Sequence, residues 1–265
     1  MNSYKRIFNA LNGHNVDRVP ILPYIGDHAG FIYNLNYRDM YTNAKSAAEA
    51  HLYSLNLYNY DICTIQVEPS WPVAEACGAE VNYPLDKNPW IIKHLIESVD
   101  DIQKLKTPDN FRETQSTRVM IDGTIILSKK ANVPVAAFMT GPLTFSFQLM
   151  PYLKMIKLMI NKPNSAKFLI QKVTEIIKTY LLTLKKAGAN LCILCEHDYQ
   201  LISPSLIKPF SLDYLEEIFE IFKNNILHIC GKVKPHLEAH SEQLKNINKL
   251  KMISIGPHLD IANTQ

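Results

Sequence analysis

Arginine is almost missing from this chain. Its 265 residues include five, Arg6, Arg18, Arg38, Arg112 and Arg118, and the last 147 residues hold none. A ligand bound in the second half is therefore not gripped by guanidinium forks. Concentrated charge is missing too. Lys and Arg number 28 against 25 Asp and Glu, for a formal net charge of +3 spread without a basic block. Neither nucleic acid nor an anionic membrane surface is implied as a partner. No apolar run reaches the roughly 18 to 20 residues of a bilayer span. The opening MNSYKRIFNALNGHNVDRVP also lacks the apolar core and cleavage site of a signal peptide. A cytoplasmic protein is expected. No Walker-type loop, no GxGxxG after the first strand and no Gly-x-Ser-x-Gly occurs, which leaves nucleotide cofactors and serine-hydrolase chemistry unsupported.

What is present suits a large α/β protein. At 47% hydrophobic and 20% charged residues, the chain can bury a sizeable core. Apolar spacing predicts helices over Ser3 to Leu11, about Asn43 to Asn56, Arg118 to Ala131, Lys154 to Ile160 and Pro163 to Ala187. Strands are expected near residues 19–25, 61–67, 134–139, 190–195, 226–230 and 251–255, with a small β excursion and an edge strand near 90–96. In the last third, strand and helix alternate with connections long enough for crossovers, so the sheet should be parallel. The expectation is a single domain over residues 1–265, a (β/α)8 TIM-type barrel. It would lack its last β/α unit, since KMISIG lies just before Gln265.

In such a fold, chemistry belongs at the C-terminal ends of strands. ILHICGKV places His228 and Cys230 two apart on one strand, so their side chains share a face. An imidazole and a thiolate suit Zn²⁺, yet two ligands do not make a site, and a satisfied core His beside a buried Cys is the plainer alternative. CEHD adds Cys195, Glu196, His197 and Asp198 at another strand end. Of these, Glu196 and Asp198 are the candidate catalytic carboxylates, able to orient a ligand or hold a proton, or else simply the start of a solvated loop. Asp27 and His28 form a further candidate acid and base pair or a plain turn. TGPLTF offers backbone N–H groups before a helix. The five cysteines, Cys63, Cys77, Cys192, Cys195 and Cys230, read as buried thiols or metal ligands.

Several segments stand in a familiar order: RIFNALNGHNVDRVPILPY, GAEVNYP, TGPLTF, GANLCILCEHD with LISPSLIKPFSLDYLEEI, and LHICG. Together they resemble the uroporphyrinogen decarboxylase superfamily, and most of all its zinc-dependent corrinoid methyltransferase branch. The resemblance implies a barrel and a Zn²⁺ held by His228, Cys230 and a second Cys far downstream. It also implies transfer of methyl from the methylcobamide of a corrinoid partner protein to a small thiol such as coenzyme M. Glu196 would support the metal or the thiol. No cysteine follows Cys230, so a truncated and inactive family member is a third reading. The decarboxylase branch holds a tetrapyrrole with arginines of an Arg-Gln-Ala-Gly-Arg motif, where this chain reads PYIGDHAG.

Overall fold

Helix α1 (Ser3–Leu11) occupies the span that its apolar spacing predicts, opened by the Asn2 side chain accepting from the Lys5 N–H. Its Ile7 and Leu11, one helical turn apart, pack with Ile62, Ala136, Phe138, Leu191, Ile193 and Ile226 in a cluster separate from the main core. Those partners come from extended segments, so α1 plugs one end of an apolar interior. The structure is a computed structural model describing residues 1–65, 68 and 70–256.

Four helices follow: α2 (Gly26–Ile32), α3 (Tyr37–Thr42), α4 (Ala44–Tyr58) and α5 (Ser70–Ala76). The expected strand at 19–25 is instead irregular backbone. Pro20 and Pro23 supply no N–H for a ladder, and the segment is tied down by the Asp61 N–H donating to the Ile21 carbonyl at 2.8 Å. The strand expected at 61–67 is reduced to a parallel bridge between Cys63 and Val135; residues 66 and 67 lie outside those described. Asp27 and His28 fall within α2, not in a turn.

The β excursion is a hairpin of β1 (Glu80–Asn82) and β2 (Trp90–Lys93), antiparallel. Next come α6 (Val99–Lys104), α7 (Gln115–Lys130), β3 (Ala136–Thr140), α8 (Pro142–Leu149), α9 (Tyr152–Asn161), α10 (Pro163–Lys186) and β4 (Leu191–Glu196). After β4 stand α11 (Pro204–Ile207), α12 (Asp213–Phe219), β5 (Asn225–Ile229), α13 (Lys234–Asn246) and β6 (Leu250–Ile255). A π-helical turn, Lys208–Leu212, separates α11 from α12. Pro209 cannot donate the i to i−4 bond there.

Strands β3, β4, β5 and β6 form one parallel sheet in that order, joined by helical crossovers, as expected. Each strand divides its side chains between two cores. Leu191, Ile193 and Cys195 join the cluster plugged by α1, whereas Cys192 and Leu194 pack into the core shared with the helices. Every residue of β4 is buried, so both faces are covered. No helix among the described residues is long and apolar enough to cross a membrane.

At the N-terminal end of the interior, Asp61 is fully buried and accepts from Arg6 Nη1 at 2.6 Å, Arg18 Nη1 at 2.6 Å, Ser3 Oγ at 2.8 Å and the Ile21 N–H at 2.8 Å. Burial alone would raise its pKa. The hydrogen bonds from Arg18, Ile21, Ser3 and Arg6 outweigh burial and hold it below the ordinary carboxylate value. The stability that this shift contributes is present above the unfolded-state pKa of about 3.9 and is lost as pH falls through the folded value. Asp61→Ala removes one of the two carboxylates on the buried Arg6, whose Nε and Nη2 stay on Asp17, and strips the Ser3 hydroxyl and the Ile21 N–H of their acceptor, so a loss of about 1 to 3 kcal/mol is expected in a urea melt at neutral pH. An unchanged midpoint would show that this clamp does not hold the first segments to the barrel.

Candidate metal centre

Parallel register lines up the last interior residues of four strands. Thr140 on β3 pairs with Cys195 on β4, Cys195 with His228 on β5, and His228 with Ser254 on β6. One pleat below, the same row reads Phe138, Ile193, Ile226 and Met252. The interior therefore changes from apolar to polar and sulfur-bearing at the C-terminal strand ends. Continuing the two-residue period past each strand brings in His197 and Cys230.

These side chains converge. Cys230 Sγ lies 2.9 Å from His228 Nε2 and 3.2 Å from His197 Nδ1. His197 Nδ1 is also 3.3 Å from Cys195 Sγ. The ligand atoms of Cys195, His197 and Cys230 all fall within 4.8 Å of one another, a group able to hold a metal ion. The far nitrogens have partners as well. His197 Nε2 is 3.0 Å from Glu68 Oε2, and His228 Nδ1 is 2.9 Å from Ser254 Oγ, which accepts from the Tyr24 hydroxyl at 3.2 Å. Tyr24 also lies against the His228 ring, centroid to centroid 4.4 Å. Gly231 ends the motif at φ +83°, where a side chain would run into Gln200.

The electrostatics of the group are uneven. Burial pushes Cys195 well above the ordinary thiol range, so it stays protonated. Cys230 moves the other way, to about 2, because Cys195, His197 and His228 all hydrogen-bond to its sulfur and outweigh its partial burial. Burial pulls His197 down, but its contacts with Cys230 and Glu68 prevail and raise it to about 10. Before any ion binds, the pair is a thiolate beside an imidazolium.

The sequence pointed to Glu196 and Asp198 as reactive carboxylates; the structure gives them other surroundings. Glu196 sits one residue from Cys195 and so faces the opposite side of β4. It is fully buried and accepts from the Leu143 N–H at 3.2 Å, the Thr144 N–H at 2.9 Å and Ser211 Oγ at 2.5 Å. It thus ties β4 to the first turn of α8, whose N-terminal N–H groups it satisfies. The TGPLTF N–H groups are therefore already occupied, and Gly141 must lack a side chain because a Cβ would overlap the Glu196 carboxyl. Asp198 is half-buried, with a pKa raised by burial against a hydrogen bond with Thr144. Asp27 likewise has a pKa raised by burial, to about 6. The sequence offered Cys195 only as one of five cysteines read as buried thiols or metal ligands and His197 only as part of CEHD, and it did not mark Glu68 as a partner of the site. The two-residue period that paired His228 with Cys230 applies equally to Cys195 and His197, and would have found them.

A family model described as uroporphyrinogen decarboxylase (URO-D) matches residues 2–265. The chain belongs to the uroporphyrinogen decarboxylase family. The uroporphyrinogen decarboxylase of Francisella tularensis subsp. novicida (strain U112) is 26% identical over 197 residues, which are 72% of this chain and 56% of that protein. That of Coxiella burnetii (strain Dugway 5J108-111) is 27% identical over 232 residues, 80% of this chain and 62% of that protein. This chain therefore spans about three-fifths of the length of these curated relatives. Among solved structures, a methyltransferase from Methanosarcina mazei aligns with a TM-score of 0.82 over 92% of this chain and 74% of that one, at 21% identity. That likeness establishes the fold as the α/β, TIM-type barrel of the family.

The depressed Cys230 pKa predicts an alkylation pattern. Iodoacetamide should modify Cys230 at a rate that stays flat between about pH 8 and about pH 5, whereas an ordinary thiol slows about tenfold per pH unit. Removing the imidazole in His197→Gln should restore part of that slope. Peptide mapping at each pH reads the result, and a tenfold fall per unit in the unmutated protein would contradict the thiolate assignment.

Proposed function

We propose that this protein moves a methyl group from the methylcobamide of a corrinoid partner protein to a small thiol of the coenzyme M type, using zinc at the His228 and Cys230 strand end. The observation that carries this reading is the convergence of two thiols and two imidazoles at the ends of β4 and β5. Sulfur and imidazole donors are the set that zinc takes, and the set fits the ion better than any hard, oxygen-preferring cation.

Bound there, zinc supplies Lewis acidity that keeps a substrate thiol ionised near neutral pH. The chain's own residues set the stage for it. Ser254 and Tyr24 fix the plane of the His228 ring, and Glu68 fixes that of His197. Glu196 anchors the end of β4 from behind, as a positioning residue. Asp198, half-buried beside Thr144, is the remaining carboxylate that could hold a proton near the mouth. In the transfer, the thiolate sulfur forms a bond to the methyl carbon while the cobalt–carbon bond breaks. Its electron pair stays on cobalt, which passes from Co(III) to Co(I).

The curated relatives carry the name uroporphyrinogen decarboxylase, which makes decarboxylation the second reading. A substrate with many carboxylates needs cations in the mouth, and four of the five arginines here are engaged elsewhere. Arg6 and Arg18 bind Asp61 at the opposite end of the interior, Arg38 donates to the Tyr83 carbonyl, and Arg112 pairs with Asp122.

The expected result is about one zinc per chain and thiol-dependent demethylation of methylcobalamin, followed by its absorbance and by mass spectrometry of the methylated thiol. Cys230→Ser should lower the rate at least about 100-fold, some 2.7 kcal/mol of transition-state stabilisation. Decarboxylation of uroporphyrinogen by a zinc-free, folded protein would overturn the methyl-transfer reading.

A further inference from the structure

We propose that Cys195 and His197 are metal ligands in their own right, completing with His228 and Cys230 a set of two thiolates and two imidazoles drawn from two adjacent strands. The inference rests on the zinc reading above and deepens it. The family resemblance assigns the second thiolate to a downstream cysteine; here a second sulfur already stands beside the first.

Distances support three of the donors directly, since the ligand atoms of Cys195, His197 and Cys230 lie within 4.8 Å of one another. With zinc bonds of about 2.3 Å to sulfur and about 2.0 Å to nitrogen, tetrahedral donors sit about 3.3 to 3.8 Å apart. Cys195 Sγ to His197 Nδ1 is 3.3 Å and His197 Nδ1 to Cys230 Sγ is 3.2 Å. Side-chain shifts of a few tenths of an ångström admit an ion between them. His228 Nε2 is 2.9 Å from the Cys230 sulfur but stands outside that group of three, so its ring must turn further to reach the same ion.

The surroundings argue for ligation as well. A ligating imidazole commonly holds a carboxylate or hydroxyl on its other nitrogen, which fixes the tautomer and the ring plane. Glu68 does this at His197 Nε2, leaving Nδ1 aimed at the two sulfurs, and Ser254 does it at His228 Nδ1, leaving Nε2. Glu68 is itself held by the N–H and hydroxyl of Ser70. Thr140 supplies a second, independent observation. Its hydroxyl is fully buried in the row beside Cys195 and finds no partner among the described residues. A buried hydroxyl without an acceptor is costly. A metal-bound Cys195 thiolate, rich in lone pairs, is a stronger acceptor for it than a protonated thiol. Zinc also expands to five ligands on some reaction paths, so a four-donor set still admits a substrate thiol.

The test compares the zinc content and zinc affinity of the purified chain with those of Cys195→Ser, His197→Gln, Glu68→Gln and Cys230→Ser. Each variant is checked for a cooperative melt. The thiolate-to-metal charge-transfer band is recorded after Co²⁺ substitution. Cys195→Ser should keep about half of the band's intensity and bind zinc more weakly, because one of two sulfurs is gone. Glu68→Gln, which keeps every metal-binding atom and alters only the partner of His197 Nε2, should lower affinity about 10- to 100-fold with the band unchanged. If Cys195→Ser and His197→Gln match the unmutated chain in affinity and band intensity while Cys230→Ser loses the metal, the extended set is wrong and the zinc reading stands. If the folded, unmutated chain takes up neither zinc nor Co²⁺, the zinc reading fails and this set fails with it.

Discussion

Everything in the candidate centre depends on register between parallel strands. Side chains alternate between faces with a period of two, so a one-residue slip of β5 against β4 would send His228 and Cys230 into the helix-side core. What prevents the slip is apolar burial on both faces. Leu191, Ile193 and Ile226 fill the interior above α1, and Cys192, Leu194, Leu227 and Ile229 fill the layer beneath the helices. Two buried cores of opposite parity fix one register. The polar row of Thr140, Cys195, His228 and Ser254 inherits its alignment from the apolar row below it.

A second constraint acts at the strand ends, where hydrogen-bond pairing stops and side chains must take over. Glu196 links the last residue of β4 to the first turn of α8 and to Ser211 in the π-helical turn. Three elements thus meet on one buried carboxylate, directly behind Cys195. Burial raises the pKa of Glu196, and the donors around it offset the cost of keeping it there. The residue that looked most reactive by type serves to hold its neighbours in place. The residues on either side of it in the chain, Cys195 and His197, carry donor atoms of the candidate centre.

The sequence made the last third of the fold legible. There, apolar runs for β4, β5 and β6 alternate with amphipathic helices, and burial on both faces leaves little room for another pattern. The first third was harder. Prolines at positions 20 and 23 and the lone bridge at Cys63 give that region strand-like composition without strand pairing, because the backbone donors are missing or engaged by Asp61. In the candidate site, His-x-Cys was visible since both residues lie in one short motif. The partnership between Cys195 and His228 was not, because it exists only through the β4–β5 register. Glu68 was out of reach for a similar reason: more than a hundred residues separate it from His197, and only the closing of the interior brings them together.

The arrangement joins a thiolate, two imidazoles and a second sulfur within a few ångströms, at the end of an arginine-poor interior. This is the surrounding a soft, nitrogen- and sulfur-loving ion requires, and a poor cradle for a polycarboxylate. X-ray absorption at the zinc K-edge of the purified, zinc-loaded protein tests that claim most directly. The account predicts two sulfur scatterers at about 2.3 Å and two imidazole nitrogens at about 2.0 to 2.1 Å. A shell of oxygen and nitrogen alone would contradict it.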